Sequence, residues 1–209
     1  MSSGKVTSCR HKITRAVRKV DAMTPAPEIQ ANVKLEIVQE LSTSDLADLC
    51  LATEDAIKRG GGFGWLKTPA RSKLEAYWRG FMMVPGRHLL LARLDGLIAG
   101  ALQLHEAPKN LESQASIGKI QSGFTASWAR GHGIGQALVQ LAIKHAKFLN
   151  LTAIKLDVRE TQTSAITIYR ALGFHEWGRM PRYAFIDDAW VAGLYFYLDL
   201  IDDASLPRN

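Results

Sequence analysis

The chain has 209 residues, 47% of them apolar, which is enough for one sizeable core and too little for two comfortable domains. Its formal charge of +6 is uneven: Lys5, Arg10, Lys12, Arg15, Arg18 and Lys19 precede the first acidic residue, Asp21, leaving 20 basic residues against 20 acidic ones. The basic excess belongs to a tail, so nucleic-acid binding by the folded part is not implied.

No apolar run approaches the roughly 18 residues of a membrane span, and no signal-type apolar stretch follows the basic arm, so a cytoplasmic protein without a membrane partner is expected. Cys9 and Cys50 are the only cysteines, which excludes a disulfide framework and a CxxC metal site. The arm "CRHKITRAVRKV" sets Cys9, Ile13, Val17 and Val20 near helical spacing and carries arginines without acids. Three readings stay open for it: a disordered extension, a helical arm touching a partner, and an organelle-type targeting segment. Met23 is an alternative start. "TPAPEIQANVK" reads as a linker, so residues 1–31 are expected to be a basic, flexible arm and linker, and residues 32–209 the folded domain.

Val33, Leu35 and Ile37 alternate as in a half-buried strand. "STSDLADLCLATEDAIKRGGG" opens on Ser42, Thr43 or Ser44 as a cap, spaces Leu46, Leu49, Leu51 and Ile57 for a helix, and stops at Gly60 to Gly62. A second helix spans about Pro69 to Met82. Leu89 to Arg93 and Leu97 to His105 form a hairpin turning at Asp95 and Gly96. Ile117 to Trp128 reads as a strand interrupted by Gly118 and Gly123, which marks a bulge or a close backbone approach. A glycine stretch leads into a helix through Leu149, "AIKLDV" forms a short strand, and "TSAITIYRALGF" a helix closed by Gly173. A last hairpin turns near Asp187 and Asp188. The order predicts a mixed α/β sandwich.

"ARGHGIGQAL" delivers glycines from a strand directly into a helix, where free backbone N–H groups at a positive helix end can seat a phosphate. Side chains at 131, 133 and 135 are expected to block that approach. The dinucleotide fingerprint GxGxxG fails, because its last position falls on Gln136 or Leu138, and the NTP loop lacks GK[ST]. What remains is Arg-x-x-Gly-x-Gly, filled by Arg130, Gly133 and Gly135. This segment resembles the pyrophosphate loop of the GNAT superfamily, the Gcn5-related N-acetyltransferases. "LDVRETQTSAITIYRALGF" resembles the family's later block, with Gln162 where the family usually has Asn. The resemblance covers about residues 33 to 200. It implies the GNAT fold, an α/β architecture with a mixed central sheet of about seven strands and about four flanking helices, and acetyl-CoA as cosubstrate.

By the same resemblance, the coenzyme is expected on Phe124, Thr125, Ala126, Arg130, Gly131, His132, Gly133, Ile134, Gly135, Gln136, Gln162, Ala165 and Tyr169. Tyr169 stands where the superfamily commonly has a tyrosine facing the coenzyme sulfur, and a phenol of pKa ~10 is a competent donor to a leaving thiolate. The strand before the glycine loop carries no acid, so the glutamate base of many relatives is missing. Asp157, mid-strand and twelve residues before Tyr169, is the first candidate base, with pairing to Lys119 or Arg159 as its structural alternative. Glu106 is the reserve base, while His105 alternates to the other face. Phe63, Trp65, Tyr183 and Trp190 are expected to wall the acceptor pocket. Neither cysteine lies near these blocks, so direct attack in a ternary complex is expected. The acceptor expected first is a small or amino-acid-like primary amine. A protein N-terminus of the ribosomal-protein type and a non-catalytic coenzyme-sensing module are the alternatives, and a homodimer is compatible with the chain.

Overall fold

The computed structural model describes Met1 and residues 31–61 and 63–201. The readings of the arm and of Cys9 lie outside the described residues. Seven strands form one sheet in the order β1-β2-β3-β4-β5-β7-β6, and only β4 and β5 run parallel. They are β1 Val33–Val38, β2 Arg87–Leu94, β3 Leu97–His105, β4 Ile117–Thr125, β5 Ala153–Arg159, β6 His175–Ile186 and β7 Ala189–Asp199. The helices are α1 Thr43–Lys58, α2 Arg71–Met82, α3 Ile134–Phe148 and α4 Thr163–Ala171. Strand and helix order therefore agree with the expected architecture.

Two helices cover each face. Leu46, Leu49, Leu74 and Trp78 of α1 and α2 pack on Leu89, Leu91 and Ile98, while Leu138, Ala142 and Ile166 of α3 and α4 pack on Leu90, Leu102, Leu104 and Leu156. Burial on both sides explains why β2 and β3 read as continuous apolar runs. Ser42 starts α1, its Oγ accepting the Asp45 N–H at 3.0 Å, a cap worth about 1 kcal/mol. Trp78 is fully buried; its indole N–H donates to Thr53 Oγ1 at 3.2 Å, and that hydroxyl donates to Leu49 O at 2.7 Å. Asp95 and Gly96 turn the first hairpin with φ of 50° and 91°, the positive pair that matches strand twist.

β4 ends sooner than its sequence suggests. A 3₁₀ turn, Ser127–Ala129, replaces the expected extension to Trp128. Asp55 of α1 is the cause: its carboxylate accepts the Ser127 N–H at 2.5 Å and the Ser127 hydroxyl at 2.9 Å. Asp55 is held below the usual carboxylate range because these bonds, with help from Arg59 and Arg130, outweigh the upward push of burial.

Candidate active site

The site grows from a split in the sheet. β4 and β5 pair only between 117–119 and 153–155, and beyond that point they diverge. A bulge opens β4 there: Gln121 faces Gln103 and Phe124 faces Ala101, so β4 spends one residue more than β3. Ser122 lies within it at φ 48°, a left-handed conformation that costs a non-glycine residue about 1 kcal/mol or more. A part-buried polar chain supports the bulge, with Gln103 Nε2 donating to Tyr77 Oη at 2.7 Å and Tyr77 Oη lying 3.5 Å from Ser122 Oγ.

One cavity, of about 530 Å³, lies on the glycine-loop side of the split. Its walls include backbone of Gly123 to Thr125, the loop from Ala129 to Gln136 except His132, the start of α4 and Tyr169. Gly131 and Gly133 have φ of 85° and 70°, and an added Cβ would meet no protein atom within 4 Å at either. The left-handed backbone is thus a constraint in its own right, beside the space a ligand would need. At Gly135 the constraint is packing, since a Cβ would lie 3.2 Å from Ile168 Cδ1. No side chain caps α3 at Gly133, and its first turn holds no acid. Open N–H groups at a helix end, with Arg59 and Arg130 beside them, suit a pyrophosphate.

Of the residues expected at the coenzyme, Ala126 and His132 do not line this cavity. Ala126 is fully buried, its N–H bonded to Ala99 O at 2.8 Å. His132 folds back toward the carbonyls of Ala129 and Arg130. Phe124, Thr125, Arg130, Gly131, Gly133, Ile134, Gly135, Gln136, Gln162, Ala165 and Tyr169 all line it. Gln162 also reaches across the split, donating to Gly60 O at 2.6 Å, a bond reached through its longer arm.

A second cavity, of about 490 Å³, opens on the other side and holds Asp157, Lys119, Arg159, Ser122, Phe63 and Tyr183. The two cavities share Gly123, Gln162, Ala165 and Tyr169. Tyr169 lies at the junction, its ring packed near Phe174 and Phe196. Burial and then the Asp157 charge push its phenol up to about 12.

β6 supplies the cavity roof. Between Met180↔Gly193 and Ala184↔Val191, three residues of β6 face one of β7, and the excess throws Tyr183 inward. Its ring lies over Gly193, where a Cβ would come within 2.3 Å of it. From there the Tyr183 hydroxyl donates to Asp157 Oδ2, while Lys119 Nζ lies 2.8 Å from Asp157 Oδ1. Burial pushes the Asp157 carboxyl up, but the Lys119 and Tyr183 bonds and the Lys119 charge outweigh it and hold the group below the ordinary range. Lys119, rather than Arg159, is therefore the partner of Asp157. Arg159 Nη2 donates instead to Gly60 O and Gly61 O, both at 2.8 Å.

Three expected residues sit elsewhere. Trp65 lies behind the wall, stacked on Phe63 at 5.9 Å and edge-on to Tyr77 at 5.0 Å. Trp190 is half exposed beside Phe185. Glu106 turns to His88 Nε2 at 2.8 Å, and His88 in turn meets His145 of α3, so this carboxylate occupies the α3 side of the sheet. The alternation of β3 places His105 and Gln103 on the α2 side instead, with His105 against Phe81. Arg59, Lys119 and Arg159 were not expected to line either cavity. For Arg159 a signal exists, because it stands two residues after Asp157 on one strand and so shares its face.

The acetyltransferase (GNAT) family model matches residues 52–174. An uncharacterized N-acetyltransferase from the hisH-hisA intergenic region of Azospirillum brasilense is 45% identical over 131 residues, 63% of this chain and 78% of the relative. A mycothiol acetyltransferase of Pseudarthrobacter chlorophenolicus is 32% identical over 93 residues, 44% of this chain but only 28% of that protein. Among solved structures, yncA of Salmonella typhimurium, solved with its cofactor acetyl-CoA, superposes with a TM-score of 0.69 at 15% identity, covering 84% of this chain and 98% of that one. Matched by the family model over more than half its length and by a relative over most of that relative's own, the chain belongs to the GNAT family of acetyltransferases.

Proposed function

We propose that the protein transfers the acetyl group of acetyl-CoA to a primary amine of a small, amino-acid-like molecule, by direct attack while both substrates are bound. The observation that carries this reading is the junction: a cavity with a phosphate-type loop meets a second, polar cavity at Tyr169. Acetyl-CoA, the cosubstrate of the family, supplies an activated thioester. The pyrophosphate would lie on the N–H groups of the 131–136 loop between Arg59 and Arg130. The Ser122–Gly123 bulge leaves strand backbone beside the split, where an N–H can polarise a carbonyl.

Tyr169 remains protonated across the working pH range, since its phenol stands near 12. It thus acts as a standing hydrogen-bond donor to the departing sulfur. Asp157 receives the amine's proton directly or through water, with Lys119 and Tyr183 holding its carboxylate in place. Cys50 is buried in α1 and lines neither cavity, and burial pushes its thiol up to about 11, which favours direct attack over an acetyl-cysteine route.

The Lys119–Asp157 pair supports a second reading, in which Asp157 only anchors Lys119 and Tyr183. Asp157→Asn separates the two. As the base, its loss lowers turnover sharply and makes the rate follow the fraction of neutral acceptor. As an anchor, its loss lowers melting temperature and leaves turnover near normal. The transferase reading itself is tested by thiol release from acetyl-CoA against a panel of small amines and peptides, beside calorimetry of coenzyme binding. Binding without thiol release for any amine would make the protein a coenzyme-sensing module.

A further inference from the structure

We infer that the acceptor carries a carboxylate beside its amine, an α-amino acid or a close analogue, and that Arg159 selects it. The inference rests on the acetyltransferase reading and deepens it.

Charge inside the second cavity is the first argument. Its lining holds two cations, Lys119 and Arg159, and one anion, Asp157. Lys119 and Asp157 neutralise each other at 2.8 Å, which leaves the guanidinium of Arg159 as the uncompensated charge. Among the described residues, no carboxylate lies within ion-pair distance of it, and its protein partners are the carbonyls of Gly60 and Gly61.

Geometry is the second. A guanidinium presents five N–H donors in a planar fork that fits a carboxylate bidentately. Both Arg159 bonds come from Nη2, so Nε and Nη1 keep their donors for a ligand. Asp157 and Arg159 share one face of β5 at positions two apart, about 6.6 Å along the strand. An amine turned toward Asp157 and Tyr169 therefore places an adjacent carboxylate toward Arg159. Phe63, Val158, Phe185 and Ile186 provide apolar wall for a side chain, and a cavity of about 490 Å³ accommodates an acceptor of that size. A diamine meets the opposite conditions, because its second ammonium would have to lie near Arg159 with the one acid among the described lining residues already paired.

The test compares kcat/KM by thiol release for a panel of α-amino acids, each with its own amide, and for 1,4-diaminobutane. Rates are normalised to the neutral amine fraction, because amidation lowers the amine pKa. The best amino acid should exceed its amide and the diamine at least 10-fold. In Arg159→Gln that preference should fall at least 10-fold through a higher KM for the acid, with KM for the amide little changed. Arg159→Lys should restore part of the preference. Because Arg159 also holds the Gly60–Gly61 turn, a purely structural role predicts equal losses for acid and amide, and that result would overturn the inference. So would amides or the diamine proving as good as the acids. That outcome leaves the transferase reading standing, whereas bound acetyl-CoA with no turnover of any amine overturns both.

Discussion

Tyr169→Phe tests the chemistry at the junction with the least disturbance to the fold. The ring is 8% exposed and packed against Phe174 and Phe196, and among the described residues its hydroxyl has no hydrogen-bond partner. Removing the oxygen keeps the packing, so stability should change by no more than about 0.5 kcal/mol. A hydrogen bond to a charged group is worth about 1.5–3 kcal/mol, which converts to a loss of roughly 10- to 150-fold in kcat if the bond forms to the departing thiolate. Because the wild-type phenol stands near 12, Tyr169 contributes no basic limb over the accessible range, and the loss should be uniform from about pH 6 to 9. The assay is saturating thiol release over that range, with melting temperature and coenzyme affinity measured on the same preparations. A variant within threefold of wild type, folded and binding the coenzyme normally, would remove Tyr169 from the reaction.

Other substitutions probe how the site is built. Gly133→Val, a β-branched residue at φ 70°, should lower stability by about 1–3 kcal/mol even without coenzyme, whereas Gly133→Asn, which tolerates that conformation, should cost less; equal melting temperatures would show that backbone conformation is not the constraint. Gly193→Ala should expel Tyr183 from its seat over β7 and break its bond to Asp157, raising acceptor KM while sparing coenzyme affinity in calorimetry. An unchanged KM would show that the Tyr183 contact is dispensable.

His105 gives a pH signature. Burial, reinforced by the charges of Arg87, Lys119 and His88, pushes its imidazole down to about 4 from 6.5. Between those values the unfolded chain binds a proton that the folded one refuses, so stability should fall as pH drops from about 6.5 to 4, by at most roughly 3 kcal/mol. His105→Gln should flatten that window in denaturant titrations, and an unaltered slope would refute the assignment.

What could be read from the chain was local. Ser42, Gly96, Gly133 and Gly173 punctuate helices and turns through their own backbone preferences, and the order of elements followed from periodicity. What could not be read depends on distant partners. Asp55 shortens β4 by capping Ser127 across 72 positions, and no local pattern announces it. Tyr183 reaches Asp157 because a two-residue excess in β6 meets a bare Gly193, a coincidence of two strands. Glu106 and His105 show how sensitive strand faces are to register. Alternation sets the two on opposite faces, but which face each one takes depends on His145 of one helix, reached through His88, and Phe81 of another.

A crystal structure of the protein with acetyl-CoA measures the central claim most directly. The account predicts pyrophosphate oxygens on the N–H groups of the 131–136 loop. It places the thioester sulfur within hydrogen-bond reach of the Tyr169 hydroxyl, with the acetyl group turned toward Asp157. A thioester lying away from Tyr169, or an acetyl group shut off from the cavity of Asp157 and Arg159, would contradict it.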